Sequence, residues 1–252
     1  GNFAQAVPFY RSVGMTNYAL TLSNAAVAAY NWAIANPNVI FSNTGYSSAN
    51  PEVDTSSTNN YNYARDSLRI RSAVYLYDLT GAAAYKSYVE TNYTRMLALS
   101  STWWGPYEMP VQDALLFYTT LAGVTPSVVT AIRNSKQNSI NGGDWMGAWN
   151  SGTDPYRAYV PDWAYHWGSS APKCRWGILF AEQLIYALNP GSAATYRNAA
   201  GAFVNYMHGI NPLTMVYLSN MYDYGADNCA NEIYHSWYAE GTIYDNALTS
   251  PN

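Results

Sequence analysis

Four times along this chain, apolar residues recur at helical spacing, break at a turn signal, and resume as a second helix. The first pair covers 2–13 and 17–35, with Gly14 between them and Pro37 as a stop. The second joins 63–79 to 83–97 across Thr80-Gly81, and the third, 112–122 and 126–138, flanks Gly123. The last links 172–188 to 192–208 through Asn189-Pro190-Gly191. Residues such as Leu68, Val74, Tyr75 and Leu79, or Ile178, Leu179, Leu184 and Ile185, mark the apolar stripes. Glycine after one helix, with Pro, Ser or Thr opening the next, supplies the end signals. The predicted fold is therefore all-α, an array of αα-hairpins. Such hairpins stack side by side, and each leaves an apolar flank uncovered unless a neighbour or ring closure seals it. Four pairs make an arc rather than a ring.

The segments between pairs, 41–62, 100–111 and 141–171, are long and aromatic, and 209–252 shows no sustained helical period. Stretches of that length are uncommon in a compact domain unless they carry function. Links that leave from the same end of a hairpin array gather on one face, where they line a groove. The functional site is expected there.

Composition narrows what that groove meets. Only 11% of residues are charged, against roughly 25% in ordinary soluble domains, while 25 Tyr and 9 Trp supply much of the remaining surface chemistry. That balance suits a secreted protein facing a neutral, hydroxyl-rich ligand. A net charge of -4 leaves no basic stripe for phosphates, which argues against nucleic acid. No run of about 18 apolar residues suggests a membrane span. Cys174 and Cys229 are too few, and too far from the histidines in spacing, for a zinc motif. They are either two unrelated thiols or one disulfide, which would stabilise by about 4 kcal/mol in an oxidising compartment.

Particular residues carry a resemblance. The stretch Asp154-Pro155-Tyr156-Arg157 leads to Tyr165-His166-Trp167-Gly168-Ser169-Ser170, then a helix, then Gly209-Ile210-Asn211-Pro212-Leu213 and Tyr234-His235-Ser236-Trp237. Upstream, Leu76-Tyr77-Asp78-Leu79-Thr80-Gly81 ends a helix, with Tyr85 beyond. Together these resemble the C-terminal half of the catalytic domain of glycoside hydrolase family 9, the cellulases and related β-glucan hydrolases. The resemblance implies an (α/α)6 toroid, of which this single domain, 1–252, would form about four of six hairpins. It also implies inverting hydrolysis of β-1,4-glucosidic bonds, which needs one carboxyl to activate water and another to protonate the leaving oxygen. By the same resemblance the water-holding Asp pair is expected ahead of Gly1 and the acid Glu after Asn252. This span is then a fragment with little activity alone, and its partners are a β-glucan and either the remainder of the domain or other copies. The His-His-Arg run of many members is replaced here by Asp227-Asn228-Cys229-Ala230-Asn231-Glu232.

The candidate residues follow from loop position and from the resemblance. Trp167, in an aromatic loop, reads as a platform for a sugar ring rather than as core, and Trp103 and Trp104 share both readings. Trp145, Trp149 and Trp163 are further candidates, whereas Trp32 and Trp176 fall at helical positions and are expected in the core. His235 beside Trp237, and His166 between Tyr165 and Trp167, are candidate hydroxyl donors or buried structural histidines. His208, in a last helical turn, is expected to meet C-terminal carbonyls. The resemblance adds hydroxyl contacts from Tyr156, Arg157 and Asn220. Glu232 is the local carboxylate nearest the Tyr234/His235 cluster, a weak candidate acid or base that reads more readily as a hydroxyl or salt-bridge partner. No cofactor is required. A structural calcium on Ser57, Asp66 and Asp113 is implied by the resemblance, against helix capping by the two aspartates. The rival function is a non-catalytic carbohydrate-binding or self-assembling protein on the same scaffold.

Overall fold

A computed structural model describes residues 1–37, 39, 58–166, 168–219 and 221–230, with backbone alone for 58–62. Ser57, Trp167, Asn220, Glu232, Tyr234, His235 and Trp237 lie outside the described residues. The chain divides into two compact units, Gly1–Ser139 and Ile140–Asn252.

The first unit holds α1 (Asn2–Ser12), α2 (Thr16–Ala35), α3 (Thr58–Thr80), α4 (Ala83–Asn92), the short α5 (Leu97–Ser100), α6 (Met109–Tyr118) and α7 (Pro126–Ser139). Gly14, Gly81 and Gly123 sit at the turns within pairs with φ of 78°, 67° and 76°, a backbone region that only glycine enters without strain. Gly123 is fixed twice over. Tyr77 donates its hydroxyl proton to the Ala122 carbonyl at 2.8 Å, and a Cβ at 123 would stand 2.9 Å from that hydroxyl. The core of this unit is the seam where α3 meets α6. Ile70, Val74 and Leu76 of α3 and Leu115 and Leu116 of α6 are fully buried, and Tyr75 stacks on Phe117 with centroids 5.6 Å apart. Each such side chain contributes about 2 kcal/mol by leaving water.

Two expectations fail here for local reasons. The helix expected over 83–97 stops at Asn92, because Tyr93–Arg95 tightens into a 3-10 turn and Met96 turns extended, at ψ 141°, to bury its side chain. The Leu97 N–H then donates to the Tyr63 hydroxyl at 3.1 Å instead of to a helical carbonyl. Trp32 is 57% exposed rather than in the core. The face of α2 that is buried is Ala19, Leu22 and Ala26, and at about 100° per residue Trp32 stands well off it.

In the second unit a π-helical turn at Gly143–Gly147 leads into α8 (Ala148–Ser151). A long loop containing the 3-10 turn Asp162–Ala164 follows, then α9 (Ser170–Ile185) and α10 (Ala193–Met207). After α10 the chain forms a small parallel pair, β1 (Val216–Ser219) with β2 (Cys229–Ala230), so this part of the tail has extended structure at its edge. Asn211 holds the bend before β1. Its amide donates to the Tyr206 and Met215 carbonyls, both at 2.7 Å, and its oxygen accepts from the N–H groups of Leu213 and Met215 at 3.1 and 3.3 Å. No helix among the described residues is long and apolar enough to cross a membrane.

The α9–α10 hairpin is the closest helix pair of this unit. A Cβ on Gly177 would meet the Phe203 Cβ at 2.8 Å, whereas one on Gly201 in α10 meets nothing within 4 Å. The two positions therefore predict opposite signs. Gly177→Ala forces the helices apart and should cost about 1–3 kcal/mol, while Gly201→Ala should stabilise by about 0.5–1 kcal/mol. Chemical denaturation of both variants checks this, and equal effects would contradict the packing.

Glu90 ties α4 to the start of α7. Its carboxylate accepts from the Thr125 N–H at 2.9 Å, the Thr125 hydroxyl at 2.8 Å and the Tyr118 hydroxyl at 3.1 Å, with Lys86 at 3.6 Å. Burial pushes this carboxyl up, but the bonds from Thr125 and Tyr118 outweigh it, and the net shift is downward from the ordinary 4.5. A carboxyl whose folded pKa is depressed adds stability above its unfolded pKa and loses it as pH falls through the folded one. Glu90→Gln should lower stability by about 1–3 kcal/mol near neutral pH, and its deficit against wild type should shrink as the pH drops below about 4.5. Thermal melts over that range provide the measurement.

Candidate functional site

In the second unit the loop between α8 and α9 presents two exposed aromatic rings, Trp163 at 50% and Tyr165 at 51% exposure. Each rests on a buried base supplied by α9. Beneath Trp163 lies Trp176, fully buried, with centroids 5.7 Å apart and planes tilted by 56°. Trp176 in turn stacks on Trp145 at 5.4 Å and 17°, and its indole N–H donates to the Asp144 carbonyl at 3.2 Å. The π-helical turn Gly143–Gly147 carries Asp144 and Trp145 to this position.

Beneath Tyr165 lies Lys173, one turn earlier on α9 and only 3% exposed. Its ammonium donates to the Ala158 carbonyl at 2.7 Å and to the Tyr165 hydroxyl at 3.2 Å, and sits 3.7 Å from the centroid of the Tyr206 ring. Burial lowers the Lys173 pKa to about 8, with Asp154 pulling it part of the way back. Tyr206 is itself pushed up to about 12, chiefly by burial. Its ring meets Tyr156 edge-on at 6.2 Å and Tyr217 at 6.1 Å.

The loop backbone is held by Asp154, whose two carboxylate oxygens accept from the N–H groups of Tyr156 and Ala158 at 2.9 and 3.0 Å. Both oxygens are thus committed to shaping the loop. Arg157 takes a left-handed φ of 59° inside this bend and donates its guanidinium proton to the Trp149 carbonyl, 5.4 Å from that residue's ring. The gap enclosed by Asp144, Trp145, Trp149, Asp154 and Arg157 is about 10 Å³, space for a single water at most.

Tyr156, Arg157, Tyr165 and His166 therefore share one loop, and Tyr156 meets Tyr165 through Tyr206 and Lys173. Sequence reasoning missed Lys173 and Tyr206. The signal was present, since Lys173 falls three residues before Trp176 on what proves to be the buried face of α9. Trp103 and Trp104 belong to the first unit. Trp104 is 1% exposed and gives its indole N–H to the Ser135 hydroxyl at 3.0 Å, so it is core rather than a platform. Trp103 lies across Gly105, where any Cβ would enter its ring at 2.3 Å. His208 is exposed at the end of α10.

Of the residues proposed for calcium, Ser57 lies outside the described residues. Asp66 is ion-paired with Arg95, Asp113 hydrogen-bonds the Tyr75 hydroxyl, and both aspartates lie inside helices rather than at their caps. Among the described residues no three His, Cys, Asp or Glu side chains are grouped to hold a metal ion. Cys174 is exposed and Cys229 buried, as separate thiols.

A larger cleft of about 640 Å³ lies in the first unit, lined by residues including Phe3, Tyr30, Trp32, Leu68, Arg69 and Arg71. Its arginines serve the fold. Arg71 donates to the Asn2 and Gln5 side chains, and Arg69 lies 3.9 Å over the Tyr88 ring.

Neither a curated protein nor a solved structure matches this chain. The pattern that defines glycosyl hydrolase family 9, by contrast, matches residues 1–252. A predominantly helical array, exposed aromatic rings on an inter-helix loop and a match along the full length agree with one another: the chain belongs to glycosyl hydrolase family 9.

Proposed function

We propose that this chain forms part of the substrate groove of a secreted, inverting, cellulase-type hydrolase of β-1,4-glucans, in which Trp163 and Tyr165 carry glucosyl units. Membership of the family supports a carbohydrate substrate. The observation that carries the finer reading is the pair of half-exposed rings, each fixed from below by a buried partner. Pyranose rings of β-glucans present flat C–H faces with equatorial hydroxyls at the rim. An indole or phenol face meets the C–H surface without stripping water from the hydroxyls, which Arg157, Tyr156 and His166 on the same loop can then address. The low charge of the chain fits a neutral ligand.

A rival reading, a carbohydrate-binding protein that self-assembles, draws on the α1–α2 hairpin, where Phe9, Leu20 and Trp32 are 62%, 58% and 57% exposed. Two measurements separate the readings. Under the hydrolase reading, Trp163→Ala and Tyr165→Ala each weaken cellohexaose binding by about tenfold to a hundredfold, the worth of one sugar–aromatic contact. Reducing-sugar release from soluble β-glucan should fall in parallel wherever the protein is active. Unchanged affinity in both variants overturns the site. A concentration-dependent oligomer in sedimentation, with glucan bound but never cleaved even in the full-length protein, favours the rival.

A further inference from the structure

We propose that Lys173 is a positioning residue, which holds the Tyr165 ring as a preformed sugar-stacking surface by tying its hydroxyl to the Ala158 carbonyl and the Tyr206 face. The inference rests on the function proposed above and specifies how one part of that groove is built. Lys173 is buried in the first turn of α9, where an ammonium loses its hydration and must find partners among protein atoms. A methionine of similar length would fill the volume without that penalty. What the ammonium adds is three close interactions, with the Ala158 carbonyl at 2.7 Å, the Tyr165 hydroxyl at 3.2 Å and the Tyr206 ring centroid at 3.7 Å, and a longer approach of 5.3 Å to the Tyr165 ring centroid.

Those three contacts join separate parts of the chain. Ala158 closes the bend organised by Asp154, Tyr165 lies in the exposed loop, and Tyr206 stands on α10 against Tyr156. A half-exposed tyrosine on a loop would otherwise sample several rotamers, and collapse of its ring onto neighbouring apolar surface would remove the face a sugar needs. Fixing the distal hydroxyl leaves the ring face outward, so binding no longer has to pay for ordering it. Trp163 on the same loop is fixed by its tilted contact with Trp176, and Tyr165 is fixed by a charge-assisted bond.

The two modes of anchoring differ in pH dependence. The charged or titratable groups facing Lys173 are Asp154 and Tyr165 in the loop and Tyr206 on α10, and behind the two tyrosines stand Tyr156, Tyr159 and Asp162 in the loop and Tyr217 on β1. Tyr165 and Tyr206 are raised above the ordinary value of 10.0 by burial and nearby acids, so both stay neutral up to about pH 9, while Lys173 titrates near 8. Loss of its proton removes one donor and the attraction to the Tyr206 face.

The test uses the whole chain and cellohexaose, with calorimetry at about pH 6.5 and about pH 9 on wild type, Lys173→Met, Tyr165→Phe and the double variant. Wild-type affinity should fall by about threefold to tenfold across that interval. Each single variant should already show the weaker affinity at the lower pH, with no further change at the higher, and the double variant should match the singles. Losses that add, or a folded Lys173→Met variant with wild-type affinity and pH profile, overturn the proposal. Should Lys173→Met fail to fold, Tyr165→Phe carries the same reading, because it keeps the ring and removes only the tie; a retained pH dependence in it is then decisive against the idea. Thermal stability of the same four proteins gives a readout without ligand. If wild type binds no β-glucan, the proposed function fails by itself, and the tie between Lys173 and Tyr165 still stands or falls on whether their stability effects are non-additive.

Discussion

The buried face of α9 sets the rest of the second unit. Along one side of that helix, Lys173, Trp176, Gly177 and Phe180 are buried against the loop, the π-helical turn and Phe203 of α10. Trp176 holds the π-helical turn through Trp145 and the Asp144 carbonyl, and Gly177 admits Phe203 so that α10 can approach. Lys173 collects the loop and the far end of α10. Because these residues share one side of a rigid rod, a shift of α9 along its axis would displace the supports of Trp163 and Tyr165 together. The exposed rings inherit their geometry from the helix, not from the loop they stand on.

Much of the helical order was legible in the sequence because its punctuation is steric. Gly14, Gly81 and Gly123 occupy left-handed backbone, so the turns could fall nowhere else. What escaped was anything decided by partners distant in sequence. The break after Asn92 depends on the Tyr63 hydroxyl, thirty-odd residues upstream, taking the Leu97 N–H. The stripe chosen for α9 also went astray. Ile178 and Ile185 look like core residues by period, yet they are 46% and 71% exposed, while Lys173, Glu182 and Gln183 are buried. A periodicity count assigns lysine to solvent, and only the three-dimensional arrangement reveals that an aromatic ring and a carbonyl were waiting for it.

The tryptophans show the same limit from another side. Trp104 and Trp163 both stand in links between helices, and nothing local distinguishes them. Trp104 found a hydroxyl for its N–H in Ser135, with Lys136 5.2 Å from its ring, and became core. Trp163 found a tryptophan face below it and kept its other surface in solvent. Tyr156, Arg157 and Tyr165 were legible as site candidates through family resemblance, whereas the residues that hold them, Asp154 and Lys173, carry no motif of their own. Each unit sets a lysine ammonium against an aromatic face, Lys136 by Trp104 and Lys173 by Tyr206, which ties helix and loop with one side chain.

Asn211 has a further consequence, one of chemical longevity. Asparagine ages by attack of the following residue's backbone nitrogen on its side-chain amide, which closes a five-membered imide and then opens to acid. Here the next residue is Pro212, whose ring nitrogen has no hydrogen to lose. The amide that braces the bend before β1 is also 2% exposed and held at both its atoms. A joint that would fail on gaining a negative charge is thus protected by its own neighbour, and the bend should outlast the exposed asparagines elsewhere on the surface.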